Sequence, residues 1–287
     1  MQLSKEHKTL IANELSRRST KTSQNQLALQ ADVSSATISQ MLNNNWKLIS
    51  DALWRKVQVT LRIDPKWNIA KTHNFLQVKQ LLSVAKSESL SIGISDSAGK
   101  GKTEAFINFE RDHENVIYVE CKNYWTKKSY IKQLLINTGL SSIGTTEELI
   151  NRFIKHLKGL DTPLLIIDQF DKLKDPQLDL FMDFYNDLSG HCGFVVSGVE
   201  ALEKRIIKGV NREKIGYAEL YSRIGKKFIK LAPITEQDVK QICNANGITD
   251  GDDVSFIYHN SEGDLRRVRR DIDKIKIKLK ANQKKSA

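Results

Sequence analysis

The stretch that most limits what this chain can fold into runs from Asp96 to Thr103, Asp-Ser-Ala-Gly-Lys-Gly-Lys-Thr. It is set between an apolar run, Leu90-Ser-Ile-Gly-Ile-Ser95, and a helix-compatible Glu104-Ala-Phe-Ile. That order predicts strand, glycine loop, helix. In such a loop Ser97, Ala98, Gly99, Lys100 and Gly101 turn backbone N–H groups inward around a β/γ-phosphate, and Lys102 adds a point charge. The Thr103 hydroxyl can ligate Mg²⁺ at the positive end of the helix. The expected ligand is ATP or GTP. Asp96 departs from the usual pattern, which opens with glycine because the chain leaves the strand in a conformation that a Cβ resists. Aspartate tolerates left-handed geometry better than most residues, so the loop is still expected, with a carboxylate near the phosphates that works against their binding.

A second element supports the first. Pro163-Leu-Leu-Ile-Ile-Asp168 reads as a buried parallel strand whose carboxyl tip carries Asp168 toward the metal. Residues 115–120 read as a strand, 129–137 and 146–158 as helices. Residues 176–188 read as an amphipathic helix, and 193–197 as a short strand that ends in Ser197, where a polar group would meet the γ-phosphate or the attacking water. Strands alternating with helices predict an α/β fold with a parallel sheet and its chemistry at the strands' carboxyl ends.

Residues 24–43 carry a helix-turn-helix pattern. Leu27, Val33, Ile38 and Leu42 supply apolar contacts, Ala28 is small where two helices cross, and Asp32 stands where the turn needs left-handed geometry. Ser34 or Ser35 can cap the second helix. That helix offers Ser35, Thr37, Ser39, Gln40 and Asn43, short or amide side chains suited to phosphates and base edges of duplex DNA. Its scarcity of arginine argues against strong guanine readout.

The 287 residues allow two or three domains, and the net charge of +11 points to a polyanionic partner. Nucleic acid fits better than a membrane, since no apolar run reaches spanning length and the amino terminus lacks a signal-peptide core. A soluble, cytoplasmic protein is expected. Cys121, Cys192 and Cys243 are scattered and read as reduced thiols, and no His or Cys spacing suggests zinc.

The expected division is residues 1–66 as the helix-turn-helix domain, 67–88 as a connecting helix, 89–232 as the α/β core and 233–287 as a helical lid. After Asp64-Pro65, residues 67–86 place Phe75, Val78, Leu81 and Leu82 on one side of that connector. Residues 235–246, 252–260 and 264–281 read as the lid's helices. The last is basic, with a buried stripe expected at Val268, Ile272, Ile275 and Leu279, and Lys284 and Lys285 extend its charge. Lys122, Lys127 and Lys128, just after the second strand, are candidate contacts to the DNA backbone.

Downstream stand Leu220-Tyr-Ser-Arg-Ile-Gly225 and Gly263-Asp-Leu-Arg-Arg267. In the order of these parts the chain resembles the AAA+ ATPases, and within them the DNA-transposition ATPases of the phage Mu type, with the insertion-sequence ATP-binding helpers as looser relatives. The resemblance implies that Lys102 and Thr103 hold phosphate and Mg²⁺, that Asp168 orients the metal, and that Ser197 senses the γ-phosphate. It implies an arginine finger at Arg223, completing the site of a neighbouring subunit, and a lid arginine at Arg266, with Arg267 as the fallback.

It also implies ATP as the nucleotide, assembly into a ring or helical filament on double-stranded DNA, and a transposase as partner. The family's usual Asp-Glu is here Asp168-Gln169. An amide can hold the attacking water but cannot take its proton, so slow hydrolysis is expected, with Asp171 and Glu120 as the nearby candidate bases. The alternatives are an ATP-sensing helix-turn-helix transcriptional regulator and a helicase-loader or replication-initiation ATPase.

Overall fold

A computed structural model describes residues 3–285, with side chains described as far as residue 282. The side chains of Lys284 and Lys285 therefore lie outside the described residues. The first helices are α1 (Lys5–Ser19), α2 (Gln24–Ala31), α3 (Ser35–Leu42) and α4 (Asp51–Thr60), followed by α5 (His73–Ser87). Ser4, Ser23, Ser34, Ser50 and Thr72 stand at their five N-caps. Each accepts the N–H three residues on, so each start is written locally in a serine or threonine.

Asp32 ends α2 in the left-handed region at φ 51°, as its place between two helices predicts. Ile11, Leu15, Leu27, Ile38, Trp54 and Val57 close a small core among α1–α4. Trp46 meets Trp54 edge-on at 5.2 Å. Truncating Trp54 to alanine would cost about 3–5 kcal/mol.

The helix expected over 67–86 begins later. Thr72 caps it, and the residues before it run without helix along the carboxyl-terminal domain, where Asn68 and Asn246 exchange hydrogen bonds of 3.1 and 2.9 Å. Nor is α5 only a connector, because Phe75, Val78, Leu82 and Ala85 are part of the core beneath the sheet.

The sheet is parallel and five-stranded in the order β2-β3-β4-β1-β5. Its strands are β1 (Ser91–Ser95), β2 (Val116–Glu120), β3 (Leu164–Asp168), β4 (Gly193–Gly198) and β5 (Phe228–Ile229). Alternate strand residues serve opposite faces. Tyr118, Leu164, Ile166 and Val195 pack with α5 and α6 (Lys102–Asp112). Ile117, Leu165, Ile167 and Val196 pack on the other side with α7 (Lys127–Asn137), α8 (Thr146–Lys158) and α9 (Asp175–Leu188).

The helices α10 (Glu200–Asn211) and α11 (Tyr217–Arg223) complete that layer. α12 (Glu236–Ala245), α13 (Gly251–Ser261) and α14 (Leu265–Lys285) form a separate apolar cluster containing Val239, Ile257, Val268 and Ile272. Leu279, expected in the buried stripe of α14, is 49 % exposed, because the helix has by then run past its two partners.

The amino-terminal helices meet the sheet domain through polar contacts. Arg17 pairs with Asp112 at 2.7 Å, Lys21 with Glu114 at 3.1 Å, and Arg62 with Glu120. Gln26 and Gln30 both donate to the carbonyl of Asn137. The Arg17–Asp112 and Lys21–Glu114 pairs are the more exposed and contribute about 0–1 kcal/mol each.

Among the described residues no helix is long and apolar enough to cross a membrane. The three cysteines are free and buried, and burial pushes the thiols of Cys192 and Cys243 up to about 12 and about 11.

Candidate nucleotide-binding site

β1 delivers the glycine loop to the carboxyl edge of the sheet between β4 and β5. Gly99 and Gly101 adopt φ 81° and 87°, the left-handed region where a Cβ is strained. Gly101 is the N-cap of α6, and no side chain caps that helix, so its first N–H groups are left to an anion. The Lys102 ammonium lies inside the loop and donates to the carbonyls of Asp96 and Ser97, both at 2.8 Å. An ammonium has three N–H donors, which leaves one for a phosphate oxygen. Burial pushes its pKa down, while the Asp96 and Asp168 carboxylates pull it back up.

The structure corrects the expectation for Asp96. It is not among the residues with positive φ, and its carboxylate is already engaged. Oδ2 accepts from the backbone N–H of Leu231 at 2.6 Å, and Oδ1 accepts from that of Ser97 at 2.6 Å. Burial alone would raise its pKa, but these two N–H groups, with Lys100 and Lys102 nearby, hold the carboxyl below its ordinary value. Asp96 therefore ties the loop to the chain just beyond β5, an arrangement glycine cannot supply. Lys100 makes a parallel tie, donating to the Ala232 carbonyl at 2.9 Å.

Asp168 meets the loop from the tip of β3. Its Oδ2 accepts from the Thr103 hydroxyl at 2.6 Å, and its Oδ1 from the Gln169 N–H at 2.9 Å. Burial raises its pKa, and the Thr103 and Gln169 bonds offset this only in part. A hydroxyl and a carboxylate side by side suit Mg²⁺, which takes one or two protein oxygens and completes its shell with phosphates and water. Ser197, fully buried on β4, lies near enough to influence the Asp168 carboxyl, yet its Oγ makes no hydrogen bond of normal geometry among the described residues. The loop, the uncapped helix and this pair together fit a magnesium nucleoside triphosphate.

Gln169 adopts the left-handed region at φ 53°, and its Nε2 donates to Glu120 Oε1 at 2.6 Å. Asp171, the other carboxylate near in sequence, accepts instead from the Val199 N–H at 3.3 Å.

The loop opens into a cleft of about 1540 Å³ walled by all parts of the chain, with Asp168 and Gln169 at one side, Arg266 and Arg269 from α14, and Arg17 and Arg62 from the amino-terminal helices. α14 is fastened to the loop, since the Leu265 N–H donates to the Gly99 carbonyl at 2.9 Å. A Cβ on Gly99 would stand 2.1 Å from Asp264 Oδ1. Of Arg266 and Arg267, Arg266 faces this cleft, whereas Arg267 pairs with Glu262 at 2.5 Å.

Arg223 is held elsewhere. It ends α11, stacks over Tyr185 at 5.0 Å, pairs with Glu219 at 3.3 Å, and does not line its own chain's cleft. α11 is fixed by Asp175, which binds Lys214, the Tyr217 hydroxyl and Arg205. The Lys214 bond foremost, these pull its carboxyl down to about 2.

Ser35 on α3 and Asn43 at its C-cap are exposed, and Thr37 and Gln40 are half-buried; Ser34 is the N-cap. Lys128 is exposed, but Lys122 pairs with Glu120 at 3.0 Å and Lys127 with Asp183 at 3.8 Å. Sequence reasoning had no route to Arg62 or to the Leu231 N–H, since neither stands in a pattern and only folding brings them to the site.

Residues 92–206 match the family model described as AAA domain. The DNA transposition protein B of the Mu-like prophage FluMu, from Haemophilus influenzae, is 26% identical over 238 residues, covering 78% of this chain and 80% of the relative. Among solved structures, that of the Aeropyrum pernix Orc1 protein in complex with DNA matches with TM-score 0.53 at 18% identity. It covers 72% of this chain, which spans 60% of that protein, and the likeness is one of fold.

Proposed function

We propose that this AAA-domain protein, whose similarity to a DNA transposition protein bears out the resemblance read from its motifs, is an ATP-dependent, non-specific DNA-binding regulator of transposition. ATP closes subunit interfaces, the subunits assemble as a ring or helical filament on duplex DNA, and that assembly recruits or activates a transposase in the cytoplasm. The observation that carries this reading is the meeting of Lys102, Thr103 and Asp168 at one end of the sheet.

In this reading residues 97–103 hold the triphosphate, Thr103 and Asp168 hold Mg²⁺, and Ser197, Gln169 and Arg266 respond to the γ-phosphate. Arg223, absent from its own cleft, completes a neighbour's. Residues 1–66 are the DNA-binding module, 67–88 the connector, 89–232 the ATPase core and 233–287 the lid. Ser35, Thr37 and Gln40 on α3 and Asn43 at its C-cap, with Lys122, Lys127 and Lys128, contact DNA, chiefly its backbone. The exposure of Ser35, Asn43 and Lys128 supports this.

The test is binding to several unrelated long duplexes across a salt series, with and without ATP and Mg²⁺, followed by anisotropy and negative-stain microscopy. Affinity should fall steeply and linearly in log–log form with salt and vary little with sequence, and ATP should produce length-dependent coating. A preference of about a thousandfold for one sequence, without coating, would replace this reading with the transcriptional regulator.

A further inference from the structure

Gln169 leaves the site short of a base, and the structure brings a carboxylate to the same place from the neighbouring strand. β2 and β3 run in register with Glu120 beside Asp168, so their tips lie one strand spacing apart, about 4.8 Å. Across that gap the Gln169 amide donates to Glu120 Oε1 at 2.6 Å. A carboxylate only accepts, which fixes the amide with its nitrogen toward Glu120.

Lys122 Nζ shares the same oxygen at 3.0 Å. The other oxygen, Oε2, is bound by the Arg62 guanidinium, which belongs to the turn after α4 and comes from 58 residues away. Arg62 lines the cleft and Glu120 does not, and the Glu120 side chain is 15 % exposed. The residue that covers this carboxylate thus comes from the amino-terminal helices, whose docking rests on exposed polar pairs.

We propose that Glu120 is the proton acceptor for ATP hydrolysis and that Arg62, as a positioning residue, holds Glu120 ion-paired and out of the cleft while the amino-terminal helices are docked. This rests on the nucleotide-site reading above. With Arg62 withdrawn, Oε2 is free to take a proton from the attacking water while Gln169 and Lys122 keep Oε1 in place. The water oxygen bonds to the γ-phosphorus, its O–H pair stays on that oxygen as the proton passes to Glu120, and the bond from the γ-phosphorus to the bridging oxygen breaks with its electron pair leaving on ADP. Glu120 then returns the proton to solvent. Asp171 also lines the cleft, with one carboxylate oxygen taking the Val199 N–H at 3.3 Å, so it is the competing base, and an undiminished rate in Glu120→Gln with a fall in Asp171→Asn would assign the step to it.

The experiment uses the full chain. Glu120→Gln keeps the shape of the side chain and one acceptor oxygen, giving up the other; it should bind a fluorescent ATP analogue as the wild type does, while single-turnover hydrolysis falls by about a hundredfold or more. Glu120→Gln combined with Gln169→Glu moves the carboxylate across the pair and should recover most of that rate. Arg62→Ala should raise kcat with KM unchanged, and Arg62→Lys should return it toward the wild type.

In the nucleotide-free protein, Arg62→Ala should also speed amide hydrogen exchange at residues 61–66 and 120–126. An undiminished rate in Glu120→Gln with nucleotide affinity retained overturns the assignment of the base. Wild-type kcat and exchange in Arg62→Ala overturn the restraint. A wild-type protein that binds no analogue overturns the nucleotide site itself and this proposal with it, an outcome the binding measurement separates from the other two.

Discussion

The Thr103 hydroxyl donates to Asp168 Oδ2 at 2.6 Å, joining the first turn of α6 to the tip of β3 across 65 residues of sequence. Both groups are suited to a divalent cation, and in the absence of one they satisfy each other. Burial keeps the Asp168 carboxyl above its ordinary value, so the site carries a cost in the nucleotide-free protein.

Asp168→Asn should therefore raise the Tm of the nucleotide-free protein at pH 7 by a few degrees and abolish the further rise given by ATP with Mg²⁺. A raised folded pKa means that the Asp168 contribution is favourable below the unfolded value and is lost as pH rises through the folded one. The wild type and the variant should accordingly converge on acidification. Thermal melts at pH 4.5 and 7.5 check this, and a variant less stable than the wild type at pH 7.5 would contradict it.

Asp96→Gly restores the common loop pattern, yet it should weaken the protein. It leaves the buried Leu231 N–H without its acceptor, at a cost of about 1–3 kcal/mol. Because the folded pKa of Asp96 is depressed, that stabilisation is present above the unfolded carboxylate value, about 4, and fades as pH falls through the folded one. Urea unfolding of both proteins at pH 7 and at pH 3.5 should show a gap that narrows in acid.

Gly99→Ala meets two obstacles at once. Its φ of 81° costs an alanine about 1–2 kcal/mol, and the new Cβ would stand 2.1 Å from Asp264 Oδ1 and 3.0 Å from the Asp264 Cα. The amino end of α14 must move off the loop. Denaturant midpoints should fall and ATP-analogue affinity should drop at least tenfold, about 1.4 kcal/mol. Unaltered affinity would show that the contact between α14 and the loop is dispensable.

Arg223→Ala separates binding from assembly. The side chain does not line its own chain's cleft, so the variant should bind the ATP analogue with wild-type affinity as a monomer, yet fail to form the DNA-bound oligomer or to hydrolyse ATP. Light scattering and ATPase rates distinguish these steps. An unchanged oligomer with full activity would reduce Arg223 to a surface charge paired with Glu219.

Much was legible locally because the determinants are local. Ser34 and Asp32 set one helix start and one turn by their own side-chain chemistry, and Gly99, Gly101, Lys102 and Thr103 are neighbours whose spacing alone builds the loop. The alternation of apolar runs fixed strand and helix order. What misled was the assumption that a residue's role is set by its place in a motif. Asp96 looked like a compromised glycine because its partner, Leu231, is 135 residues away.

The sequence by itself determined that the chain would make a parallel sheet with a glycine loop on its first strand and an acid on its third, because hydrophobic periodicity and glycine geometry act over a few residues. Only the tertiary structure decided which charges meet at the site. Glu120, Gln169 and Arg62 lie on separate elements, and their contact depends on strand register and on how the amino-terminal helices dock. Electrostatic partners are chosen by distance in space, and no short-range pattern in the chain encodes that distance.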